Sequence, residues 1–208
     1  MSAATPAPAR GVRLPRSERR AQLLDVARQV FVETGYHATA MDVIAERAGV
    51  SKPVLYQHFP GKLDLYVALL QEGADHLVEA VAASLASTSE NHQRVEALVG
   101  AYFAFVDAPD GVFRLIFESD LTQESAVRQR IDAANIRCAE LVGAVIAEET
   151  DLTDGEALLL GYGLIGLAQT AARAWLADGA RVPRADAQAQ AATLAWRGIS
   201  GFPQAFER

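Results

Sequence analysis

Apolar residues recur at helical spacing along almost the whole chain. Leu23, Val26, Ala27, Val30 and Phe31 form the first stripe, on a helix that opens near Arg16 and that Gly35 is placed to stop. Thr39-Ala40-Met41-Asp42 has the form of a capping box, so Thr39 is expected to open a short second helix running to about Ala48, with Gly49 allowing a tight turn. Ser51 offers the next N-cap, Lys52 and Pro53 suit a first helical turn, and Pro60-Gly61 end that third helix after Phe59. From Lys62 a long fourth helix is predicted, its broad apolar face made by Leu63, Leu65, Tyr66, Leu69, Leu70, Leu77, Val78, Val81 and Leu85. Further helices are predicted at about 92–107, 111–118, 122–150, 154–178 and 185–199, separated by Asn91, Pro109-Asp110-Gly111, a turn over 151–155 and the stretch 179–183. No window alternates as a strand would, and no period of 20 to 50 residues repeats. The expected fold is all-α, with about nine helices.

Composition divides this string of helices. Residues 1–15 are rich in Ala, Pro and Arg, with little to bury, and read as a flexible arm whose Arg10 and Arg13 could follow a DNA groove. The net charge of −7 argues against nucleic acid, but its distribution reverses that argument. Residues 1–62 carry nine basic and five acidic side chains, whereas the remaining 146 carry ten and twenty-one. The expected organisation is therefore the arm, a basic helix-turn-helix headpiece over 16–62 with its motif at about 40–59, and an acidic body over 63–208. The longest uncharged run, 157–172, is shorter than the roughly 20 apolar residues of a membrane span, and Met1 is not followed by a secretory core. With a single cysteine, Cys138, the chain reads as a cytoplasmic protein without an intrachain disulfide.

Two helices crossing at a wide angle need a small residue at their contact, a flexible turn and apolar clamps. Ala45, Gly49, and the trio Ile44, Val50 and Leu55 meet these needs at the right spacing. With Val50 and Leu55 turned inward, Ser51, Lys52, Pro53, Val54, Tyr56 and Gln57 fall on the exposed N-terminal side of the third helix. There a cation, a rigid apolar surface, an aromatic hydroxyl and an amide make a reading head for the major groove. The chain's two lysines, Lys52 and Lys62, bracket this helix.

The gapless run from Ala21 to Leu65 carries Leu24-Asp25-Val26-Ala27, Phe31, Gly35-Tyr36, Thr39, Ile44-Ala45, Ala48-Gly49-Val50-Ser51, Leu55-Tyr56, His58-Phe59 and Lys62. It resembles the DNA-binding domain of the TetR family of bacterial transcriptional regulators. The resemblance implies that Thr39, Tyr56, His58 and Lys62 hold phosphates while Lys52 and Pro53 face bases. It also implies a repressor acting on double-stranded operator DNA, with a helical body that binds a small molecule and forms a homodimer through its last two helices. Ala40 leaves the start of the second helix without a long side chain to read a base.

The segments 154–178 and 185–199 fit that homodimer, since Leu158, Leu159, Leu160, Leu164, Ile165, Leu167 and Trp175 spread around one helix and Leu194, Trp196 and Ile199 add to the other. Tyr102, Phe103, Phe105, Phe113 and Phe117 gather around the break at Pro109-Asp110-Gly111 and are candidate walls for a hydrophobic small-molecule effector. Glu118, Asp107, Gln169 and Arg173 are candidate polar contacts there. No cofactor or metal is expected: the histidines at 37, 58, 76 and 92 lack ligand spacing, and Glu72, Asp75, His76 and Glu79 read as a solvated face. No nucleophile stands beside a base, so no enzyme is expected. Gly161, Gly163 and Gly166 read as sites of close helix packing.

Overall fold

The computed structural model describes residues 14–117, 121 and 123–199. Among them are nine helices: α1 Arg16–Ala38, α2 Met41–Arg47, α3 Lys52–His58, α4 Lys62–Ala86, α5 Asn91–Val106, α6 Val112–Phe117, α7 Ser125–Glu149, α8 Asp154–Ala177 and α9 Arg184–Ile199. Arg10, Arg13 and Glu118, with the side chains of Phe117 and Ile199, lie outside the described residues.

The apolar stripe of α1 buries Leu23, Ala27, Val30 and Phe31 against Ile44 and Ala45 of α2, Leu55 of α3 and Leu65 of α4. Gly35 takes φ +75°, a conformation that costs glycine little, and breaks α1 where the sequence predicts its end. The expected capping box at α2 does not form. Ala40 occupies the N-cap, and the Thr39 hydroxyl instead donates to the Gly35 carbonyl at 2.7 Å, 2.7 Å from the Thr34 hydroxyl. Thr39 can reach an orphan carbonyl of the broken α1 end, and that bond competes with the cap. Ser51 is the N-cap residue of α3, but its side chain makes no capping hydrogen bond.

Beyond the headpiece, α4 runs on to pack against α5 and α7, and α7 lies along α8. That last pair approaches closely because neither helix has a side chain at the contact. A Cβ on Gly161 would stand 2.5 Å from the Ala139 carbonyl oxygen, and one on Gly143 would meet the Leu158 Cα at 3.0 Å. Gly163 and Gly166 have no neighbour within 4 Å at the corresponding position, so close packing within the chain accounts for Gly161 and not for them. The expected turn over 151–155 is shorter: Gly155 lies in the first turn of α8, capped by a reciprocal box between Thr153 and Glu156. Among the described residues no helix is long and apolar enough to cross a membrane.

Candidate nucleic-acid interface

The turn between α2 and α3 is built by Gly49 at φ +64°, with the Val50 N–H donating to the Ala45 carbonyl at 3.0 Å. Leu55 and Phe59 are buried and fix the rotation of α3, which leaves Lys52, Pro53, Tyr56 and Gln57 exposed and Val54 and His58 half-buried. Tyr56, 46% exposed, is one of the large apolar surfaces a folded chain leaves to solvent without a partner in its own core. Lys52 Nζ lies 2.6 Å from Asp42 Oδ2 on α2, and that hydrogen bond and charge raise the lysine's pKa above its ordinary value.

The start of α1 forms a second wall beside α3. Arg16 and Arg19 line a cleft of about 900 Å³ together with Ser51, Val54, Gln57 and His58. Arg20 stacks over the Phe59 ring with its guanidinium carbon 4.4 Å from the centroid. Burial and the charges of Arg16, Arg20 and Arg19 hold the His58 pKa below its ordinary 6.5. The lowered pKa favours the neutral imidazole in the free protein, which can meet a phosphate as a hydrogen-bond donor while the arginines supply the charge. Sequence reasoning did not single out these three arginines. Their recurrence at 16, 19 and 20, one face of the first helical turns, was the available signal.

Two residues expected at phosphates are engaged by backbone carbonyls of the headpiece, Thr39 buried and Lys62 half-buried. Thr39 is 4% exposed, its hydroxyl engaged as described above. Lys62 Nζ donates to the carbonyls of Tyr36 and Thr39 at 2.9 Å each, approaches that of His37 at 3.5 Å, and sits 4.4 Å above the Tyr36 ring. An ammonium has three protons, and here they are directed at carbonyls around the end of α1, of which that of Tyr36 also accepts from the Thr39 N–H at 3.3 Å. The geometry makes Lys62 the tie between the first residue of α4 and the α1–α2 connection.

The candidate effector residues divide. Tyr102, Phe103, Phe105 and Phe113 are buried in the body, with Phe103 5.6 Å from Trp175. The Tyr102 hydroxyl, fully enclosed, has no nitrogen or oxygen partner among the described residues; the weak thiol of Cys138 is the polar group beside it, and burial raises both pKa values. Gln169 is half-buried, Arg173 is exposed on α8, and Asp107 faces outward in an ion pair with Arg184 at 3.1 Å. The structure thus does not gather these polar groups around Tyr102. Glu72, Asp75, His76 and Glu79 line a groove of about 620 Å³ between α1 and α4, where Asp75 is held by Arg137 at 2.6 Å and by Gln71. Among the described residues no group of three or more His, Cys, Asp or Glu side chains could hold a metal ion.

A helix-turn-helix with an exposed polar face on its second helix, flanked by cations, defines a DNA-binding protein. Residues 23–69 match the sequence model of the bacterial regulatory proteins of the tetR family. The HTH-type transcriptional activator FasR of Mycolicibacterium smegmatis is 43% identical over 194 residues, which span 93% of this chain and 89% of that one. A tetR-family transcriptional regulator from Streptomyces coelicolor shares the fold with a TM-score of 0.73 at 27% identity, over 90% of this chain and 83% of its own. FadR from Bacillus subtilis, crystallised with stearoyl-CoA, shares it with a TM-score of 0.70 at 18% identity, over 84% and 96% of the two chains. The chain belongs to the TetR family of bacterial regulatory proteins: it is a DNA-binding transcriptional regulator and not an enzyme.

Proposed function

We propose that this regulator binds a palindromic operator as a homodimer and leaves it when an apolar small molecule enters the body. The observation that carries the reading is the α3 face, where Lys52, Pro53, Tyr56 and Gln57 are exposed together beside Arg16 and Arg19. On this reading residues 16–62 are the headpiece, with an arm before them and an effector-binding and dimerising body from 63 onward. Lys52 and Pro53 meet base edges, Ser51, Val54 and Gln57 line the same approach, and Tyr56, His58 and the arginines meet phosphates. The variants separate these roles. Lys52→Ala should cost about 1–3 kcal/mol on operator and relax preference at one base pair. Arg16→Ala with Arg19→Ala should weaken every duplex alike and flatten the salt dependence of the bound dimer by about four units, about two for each protomer. Fluorescence anisotropy on operator and scrambled duplexes reads both, and identical behaviour of the two variants would remove the proposed division of labour.

Dimerisation is supported by what α8 and α9 leave uncovered. Leu159 is 70% exposed, Leu194 66% and Tyr162 40%, while Gly163 and Gly166 leave room for a neighbouring helix. Two copies joined there would bury these side chains in a four-helix bundle and present two α3 helices about 34–36 Å apart, or a multiple of that spacing.

For the effector, the enclosed Tyr102 hydroxyl within an aromatic core favours a mostly apolar molecule that brings one hydrogen-bond acceptor. FadR, a protein of this fold, was crystallised with stearoyl-CoA, which supports acyl compounds as the class to try as effector. A displaced core has a route to the DNA. Tyr66 of α4 donates to the Leu115 carbonyl of α6 at 3.0 Å, Asp110 pairs with Arg28 of α1 at 3.3 Å, and Gly111 lies so close to α1 that a Cβ there would stand 2.8 Å from Val32 Cγ1. By linkage, operator DNA then weakens effector binding by the same factor. The sign of regulation depends on where the operator lies. Family analogy suggests repression, whereas the name of the relative that is similar along nearly the whole chain favours activation.

A further inference from the structure

Asp42 puts a carboxylate on the face that approaches DNA, where a negative charge is costly unless it has a task. It is exposed in the first turn of α2, as is Lys52 in the first turn of α3, and the two side chains meet at 2.6 Å across the motif. An exposed pair of this kind adds little to folding. Its effect on the lysine is larger. The carboxylate takes one of three ammonium protons, fixes the direction of a side chain with four rotatable carbons, and nearly cancels its charge as seen by a distant phosphate. The other two protons remain free to donate at a base edge.

We propose that Asp42 is a specificity-positioning residue: by holding Lys52 it withdraws that cation from phosphates and reserves it for one base pair. Counterion release rewards net positive charge at the backbone, and a neutralised pair contributes almost none. A hydrogen bond to guanine O6 or N7 needs a donor in the right place, which the pair supplies. The bridge therefore lowers affinity for arbitrary DNA while keeping discrimination. This inference rests on α3 being the reading helix.

The test compares the parent, D42N, K52A and D42N/K52A on an operator selected by the parent from random duplexes and on a scrambled duplex. With Lys52 freed, D42N should bind the scrambled duplex about three- to tenfold more tightly at 0.1 M salt, with a salt slope steeper by about one unit for each protomer of the bound dimer. The operator should gain less, so the ratio of the two affinities falls, and a D42N selection should lose preference at the base pair that K52A also relaxes. In the K52A background the same substitution again removes one negative charge and should tighten the scrambled duplex by a similar factor, but with Lys52 absent it should leave the ratio of the two affinities unchanged. An unchanged ratio in D42N, or a ratio that falls as far in the K52A background, overturns the proposal. Absence of sequence-selective binding by the parent itself would instead fail the reading of α3, and this inference with it.

Discussion

Replacing Lys62 by methionine is expected to loosen the headpiece from α4 and to weaken operator binding more than tenfold without altering its salt dependence. The side chain is shared between two parts of the fold. Its stem leaves α4 at its first residue, and its ammonium closes the carbonyls of Tyr36 and Thr39 where α1 gives way to α2. Methionine keeps the apolar stem over Tyr36 and removes the donors, leaving the Thr39 carbonyl without its side-chain donor and that of Tyr36 with only the Thr39 N–H at 3.3 Å, a loss of about 1–3 kcal/mol. Hydrogen exchange should therefore speed up in α1–α3 while α7 and α8 keep their protection. A phosphate-holding role gives the opposite signature, a salt slope flatter by about one unit for each protomer of the bound dimer with headpiece protection unchanged.

Tyr102→Phe should move stability and effector response in opposite directions. The buried hydroxyl has no hydrogen-bond partner beyond the weak thiol of Cys138, so removing it relieves a desolvated polar group and should raise the unfolding free energy by about 1–2 kcal/mol. If that hydroxyl is what an effector's acceptor meets, the same substitution should raise the concentration needed to release DNA about tenfold or more. Thermal unfolding and a titration of the operator complex with stearoyl-CoA and other acyl compounds read the two effects. A stabilised variant that responds as the parent does would place the effector elsewhere and leave Tyr102 as a core defect. An unstabilised variant would show that the Cys138 thiol satisfies the phenol.

The order of the headpiece helices is legible in the sequence because glycine and proline punctuate it at Gly35, Gly49 and Pro60-Gly61, and because Leu55 and Val50 fix which side of α3 faces out. Local rules fail where a competing partner wins, near in sequence for Thr39 and far for Lys62. Thr39 has the spacing of a cap, yet a carbonyl freed by the break at Gly35 takes its proton. Lys62 finds carbonyls 23 and 26 residues away, contacts that no local pattern encodes. The body shows the same division. Thr153 and Glu156 carry a capping signature that was legible in principle, but Gly155 between them suggests a loop when propensity is weighed alone. Gly161 and Gly143 meet across α7 and α8, while Gly163, two residues on, lies on another face of α8. Only the helix phase, fixed by buried Ala157, Ile165, Ala168 and Ala172, tells them apart. The aromatic group at 102–113 is legible as a cluster, and the enclosed phenol within it is not, since satisfaction of a hydroxyl is a property of its surroundings.

The most direct test of the account is a selection of random duplexes by the intact protein, followed by sequencing of what is retained at rising salt. Two α3 reading faces related by a dimer axis predict an enriched palindrome whose half-site centres lie about 10 base pairs apart, or a multiple of that, lost from the selection as salt competes for the phosphates. Recovery of no preferred sequence, or of a single unrepeated half-site, would contradict it.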